Sequence, residues 1–187
     1  MGFKKFIKYH LIDTTAIITF STPFFVFLEN AISKISDLNS IRARAYAIIL
    51  SFLGLGKLIS GGRDLSRKLF HITHKTNEKI QIFHDAIYLG IFNLLTAPII
   101  YFIAGETNFF KILSATLLTS IFALFIGAPM GFFIDSFRDL SGLKKCERKI
   151  YPKKLHLISK ISKIILLILL ILISLIITLC IYLLTPN

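Results

Sequence analysis

Cysteine is nearly missing from this chain of 187 residues, which holds only Cys146 and Cys180. Cys146 falls in a basic loop and Cys180 deep in an apolar run, so their difference in depth argues against a disulfide, and no CxxC or metal-ligand spacing is present. Acidic residues are also scarce, at 10 Asp and Glu against 22 Lys and Arg, for a net charge of +12. On a soluble protein that excess would point to nucleic acid. Here the bases flank apolar runs and line no continuous surface, which argues against nucleic acid and for topology signals and contacts to anionic lipid. GxSxG, HExxH, Walker A and Rossmann patterns are all absent, so a membrane enzyme has little support and no cofactor is expected. His71 and His74 are spaced i,i+3 with His84 further on, but no acidic or cysteine partner sits nearby in the chain, so no metal is expected.

Apolar residues are what the chain has in abundance: 55% are hydrophobic, and the mean hydropathy is +0.74. Five apolar runs stand out, at about residues 11–32, 43–62, 82–104, 109–134 and 161–184. Each approaches the ~20 residues that carry a helix across ~30 Å of hydrocarbon. Bare backbone polar groups are too costly in lipid, so each run should be helical. The expected fold class is therefore an all-α membrane protein. The Lys and Arg residues between the runs alternate, with 18 on one side and 4 on the other. The positive-inside rule puts the basic side in the cytoplasm, with the N-terminus inside and the C-terminus outside. Lys4, Lys5 and Lys8 resemble the start of a signal peptide, but Asp13 interrupts the apolar core and no small-x-small cleavage site follows, so the first run reads as an uncleaved span.

One pattern occurs twice. Gly56, Ser60, Asp64 and Arg67 recur 71 positions later as Gly127, Gly131, Asp135 and Arg138. The spacing small-x3-small-x3-Asp-x2-Arg keeps each set on one helical face. Each set reads as a groove for close helix packing that ends in an acid and a base at the membrane edge. Asp13 opens the first span as Asp85 opens the third, and Pro23 and Pro98 fall near the middles of those spans. The expected architecture is two repeated helical hairpins, at about residues 11–70 and 82–142, forming a four-helix core over 1–142. Each hairpin crosses twice, so the two should share one membrane orientation. A basic interfacial linker follows at 143–160, then a fifth transmembrane helix with a short outer tail at 161–187. Four core helices are few to enclose a large cavity, which leaves room for a homodimer.

The polar residues within the spans are the candidates for function. Asp13, Asp64, Asp85 and Asp135 map to the cytoplasmic ends of spans one to four, with Arg67 and Arg138 one turn from two of them. Either Asp64–Arg67 and Asp135–Arg138 are plain surface pairs worth a few tenths of a kcal/mol, or the six residues form one network that shuts the cytoplasmic mouth. Glu29, near the outer end of the first span, is either a snorkelling interface residue or a site for a proton or a substrate amine. Thr14, Thr19 and Thr22 in the first span, and Asn93 and Thr96 in the third, either bond between helices or line a polar cavity beside the kinks at Pro23 and Pro98.

At these residues the chain resembles the small bacterial inner-membrane L-alanine exporters. The resemblance is carried by Asp13-Thr14-x-Ala16, Glu29, Arg44, Arg63-Asp64-Leu65, Asp85-x2-Tyr88 through Pro98, and Gly127-x3-Gly131-x3-Asp135-x2-Arg138. It covers about residues 12–142. It implies a four-helix protein that exports L-alanine or a related small neutral amino acid, driven by the proton gradient, from a multi-pass position in the cytoplasmic membrane. Asp13, Glu29, Arg44, Asp64, Arg67, Asp85, Asp135 and Arg138 are then the expected transport and gating residues. Ser60 stands where the family pattern has glycine, and residues 143–187 extend past the family's end. The reading from a different class is a non-transporting membrane assembly or partner-binding protein, which would use the small-residue faces and basic loops to hold other helices and lipid.

Overall fold

A computed structural model describes residues 2–73 and 75–185. Two readings from the sequence lie partly outside these residues: the His71/His74 spacing and the last two residues of the outer tail. Six α-helices run through the described residues: α1 (Phe3–Phe27), α2 (Asp37–Leu50), α3 (Gly56–Leu69), α4 (Glu78–Ile103), α5 (Phe109–Leu140) and α6 (Lys160–Leu184). No strand occurs among the described residues. Among the described residues, five stretches are long and apolar enough to cross a membrane: Phe3–Ile32, Asp37–Leu69, Glu78–Ile103, Phe109–Gly127 and Lys160–Leu184.

Polar side chains cap the starts of several of these helices. The side chains of Asn77 and Asn108 accept from Lys79 N at 3.0 Å and Lys111 N at 3.1 Å. Ser159 accepts from Ser162 N at 3.1 Å. Such caps satisfy backbone donors that a helix start leaves bare. α5 has 32 residues and is about 48 Å long at about 1.5 Å per residue, well beyond the hydrocarbon.

Two segments depart from the α-helix. Leu28–Ile32 closes α1 with a wide π turn. Ser51–Leu55 forms another between α2 and α3, where Gly54 takes φ +149°. That conformation is open to glycine and strained for other residues. The second span is thus a broken helix. Pro23, Pro98 and Pro129, by contrast, lie within continuous helices. The sequence places kinks at Pro23 and Pro98; both helices run on through these prolines, and a break in the helical backbone occurs at Gly54.

α5 is the hub, packed along α4 and against α1 and α6. Its core joins Ala123, Ile126, Met130, Ile134 and Phe137 to Ala16 and Ile17 of α1 and Leu89 of α4. Glycine sets these approaches. A Cβ on Gly127 would stand 2.6 Å from Ala86 Cα, and one on Gly131 would strike the Asp85 carboxylate. A Cβ on Gly56 would strike the Thr14 hydroxyl. Ser60 is fully buried. The small-residue stripes at Gly56/Ser60 and Gly127/Gly131 are therefore used inside one chain, leaving any second copy to bind elsewhere. α6 is the least enclosed helix, with only Leu167 and Ser174 buried.

Candidate functional site: two charged clusters and the cavity between them

The first cluster lies at the basic face. Arg138 donates from Nε and Nη2 to the two oxygens of Asp13, each at 2.6 Å. Its Nη2 also stands 3.1 Å from Asp64 Oδ2. Arg67 makes the matching fork to Asp85, with Nε donating to Oδ1 at 2.8 Å and Nη2 to Oδ2. Two-pronged guanidinium–carboxylate pairs of this kind are among the strongest hydrogen-bonded ion pairs. The i,i+3 spacing had suggested a pair between Asp64 and Arg67. Instead each arginine reaches across the bundle to the aspartate that opens the other half, because the close approaches at Gly56 and Gly127 bring those aspartates within reach. The i,i+3 contact of Asp135 with Arg138 is present but longer, at 3.7 Å.

Two further arginines complete the cluster. Arg63 bridges Asp64 Oδ1 at 2.9 Å and Asp135 Oδ1 at 3.0 Å, and donates to the Gly131 carbonyl at 3.0 Å. Arg148 donates to Asp135 Oδ2 at 2.8 Å, Asp85 Oδ2 at 2.9 Å and Glu78 Oε1 at 3.2 Å. Asp13 is wholly buried and Arg63, Arg138 and Arg148 nearly so. Removing one partner from such a buried set strands a charge. A vestibule of about 240 Å³ opens beside the cluster, walled by Asp64, Arg67, Asp135, Arg138, Cys146 and Arg148 among others. Burial pushes the Cys146 thiol up to about 11.

Sequence reasoning assigned no site role to Arg63, Glu78 or Arg148. Arg63 was visible as the neighbour of Asp64. Arg148 had no such signal: it sits in a basic run that reads as a segment lying on lipid, yet its side chain is only 4% exposed and faces inward.

The second cluster lies toward the opposite face. The wide turn at Leu28–Ile32 holds Glu29 inside the bundle, with no surface exposed. Glu29 accepts from Arg44 Nη2, from Ser40 Oγ at 2.8 Å and from the Tyr101 hydroxyl at 3.0 Å. The snorkelling alternative is thereby overturned, since the carboxylate has its partners within the protein. Tyr101 lies sixteen residues after Asp85, as Glu29 lies sixteen after Asp13. The Tyr182 hydroxyl of α6 stands 3.0 Å from Ser40 Oγ.

A cavity of about 80 Å³ lies within the bundle, walled mostly by apolar side chains such as Phe25, Leu89 and Met130, with Arg44 and Tyr101 of the second cluster, Ser21, Thr22, Asn93, Thr96 and Thr119, and Ser51 of the broken helix also lining it. Asn93 donates to Thr119 Oγ1 at 2.9 Å. Of the residues expected to line a cavity, Thr22, Asn93 and Thr96 do so. Thr14, Thr19, Pro23 and Pro98 do not: they are not among its lining residues. Thr14 packs on Gly56. Thr19 and Pro23 face an apolar groove toward α6. Pro23 has no N–H to give the Thr19 carbonyl, and the Ser174 hydroxyl of α6 donates to that carbonyl at 2.5 Å. The oxygen freed by the proline thus holds the fifth span and faces away from the cavity.

No family model, no curated protein and no solved structure matches the chain.

Proposed function

We propose that the protein is a secondary exporter of L-alanine or a related small neutral amino acid across the bacterial cytoplasmic membrane, exchanging it for protons. The basic face is cytoplasmic in this reading. The carrying observation is a cavity set between two charged clusters, with Arg44, Tyr101 and Asn93 in an otherwise largely apolar wall. About 80 Å³ is room for roughly two or three waters at about 30 Å³ each, which suits a small solute.

The cross-paired arginines support a duplicated core of two like-oriented hairpins. Positions that answer each other in the two halves exchange partners, Arg138 with Asp13 and Arg67 with Asp85. The two forks serve as the inner gate, and releasing them lets the hairpins part. The Glu29–Arg44 pair is the outer gate and the binding site together. A zwitterion enters this pair with its carboxylate on Arg44 and its ammonium on Glu29. Among the described residues Arg44 Nε has no hydrogen-bond partner, leaving a donor for that carboxylate. Once the solute leaves, Glu29 takes a proton or returns to Arg44. Competition between ammonium and proton for one carboxylate couples export to proton entry.

Export of alanine by cells fed an alanyl dipeptide tests this reading. Cells carrying the chain should release alanine faster than cells without it, and Asp13→Asn or Asp135→Asn should abolish the gain while the protein still inserts. Unchanged export in both variants would refute the gating role. No export by the wild-type chain, with a partner protein co-purifying, would favour the partner-binding alternative.

A further inference from the structure

We infer that the segment after the four-helix core is a built-in strap that holds both clusters closed, with Arg148 and Tyr182 as its positioning residues. This rests on reading the two clusters as gates. The segment leaves α5 at Gly142, where φ is +73°. It then touches the core at successive points. Arg148 reaches Glu78, Asp85 and Asp135 of the basic-face cluster. His156 Nδ1 and Lys163 Nζ stand 3.2 and 3.7 Å from the Asp139 carboxylate. Ser174 holds the Thr19 carbonyl. Tyr182 meets Ser40, which donates to Glu29 of the second cluster.

A lipid anchor has no need of these contacts. A single continuous helix, α6, runs from Lys160 to Leu184 and is about 37 Å long, enough to link the two faces as a rigid rod. Arg148 neutralises carboxylates on both α4 and α5, so without it Asp85, Asp135 and Glu78 are left with excess negative charge that pushes α4 and α5 apart. Tyr182 acts more gently: its hydroxyl fixes the serine that orients the Glu29 carboxylate. Opening either gate moves helices to which α6 is tied, and so works against the strap.

The test uses the full chain in sealed vesicles, with Cys146→Ser and Cys180→Ser as background and one reporter thiol at a time. Ser60→Cys reports on the inner gate, because Ser60 is fully buried and lies one turn deeper in α3 than Asp64. Thr96→Cys reports on the cavity. A membrane-impermeant maleimide is applied from each face. Arg148→Gln should raise labelling of the Ser60→Cys thiol from the basic face at least tenfold. Arg148→Lys should fall between, because one ammonium cannot span three carboxylates. Tyr182→Phe should raise labelling of the Thr96→Cys thiol from the opposite face severalfold. Rates within twofold of the background for both Arg148→Gln and Tyr182→Phe, in inserted and monodisperse protein, would overturn the strap. If Arg148→Gln does not insert, Tyr182→Phe decides alone, since it removes one hydroxyl. Labelling requires no transport, so raised labelling with no alanine export would leave the strap standing and sink the carrier.

Discussion

Asp13 is the residue on which the basic-face cluster turns. It is fully buried and takes both prongs of Arg138. Asp13→Ala should therefore destabilise the protein by about 3–5 kcal/mol, the usual cost of stranding a buried charge. Thermal unfolding in detergent measures it, and a loss below about 1 kcal/mol would mean that the pair is solvated. Gly127→Ala should cost about 1–3 kcal/mol, because the added carbon meets the backbone of Ala86, which cannot turn aside. Cys146 gives a pH reading of the vestibule. With its thiol pushed up to about 11, its maleimide reaction should be slow at neutral pH and rise about tenfold per pH unit until the thiolate saturates. A rate that levels off by about pH 9.5, as for a free thiol of pKa about 8.5, would show an open, solvated thiol. The aspartates and the two repeated arginines were legible in the sequence because acids are rare in apolar runs and these sit at matched spacings. Arg148 was not legible, since a base within a basic loop looks the same whether it faces lipid or turns inward.

Among the elements, α1 and α6 are joined by a bond that proline creates. Pro23 leaves the Thr19 carbonyl without its helical donor, and Ser174 supplies one. Ser174→Ala should cost about 0.6 kcal/mol, rising to about 1.7 at most, the range for hydrogen bonds between membrane helices. In a Pro23→Ala background the same change should cost less, because residue 23 regains an N–H for that carbonyl. A double-mutant cycle by unfolding in detergent reads the difference; equal costs in both backgrounds would contradict the explanation. The five spans could be read from their apolar lengths alone. The wide turns at Leu28–Ile32 and Ser51–Leu55 could not, since a π turn leaves hydropathy unchanged and shifts only the face each residue presents. That shift turns Glu29 into the bundle, which the sequence does not show.

For the whole molecule, the proposed export cycle joins the two clusters and the cavity between them into one device. In that proposal each gate opens only by breaking buried ion pairs, when solute or proton replaces a partner, and Glu29 is the group for which both compete. Uptake of labelled L-alanine into inside-out vesicles with an acidic lumen measures this directly. Wild-type vesicles should accumulate alanine while the gradient lasts, and Glu29→Gln vesicles should show no accumulation above the rate without a gradient. Accumulation by Glu29→Gln at the wild-type rate, or wild-type uptake indifferent to the gradient, would contradict the exchange of amino acid for proton at this carboxylate.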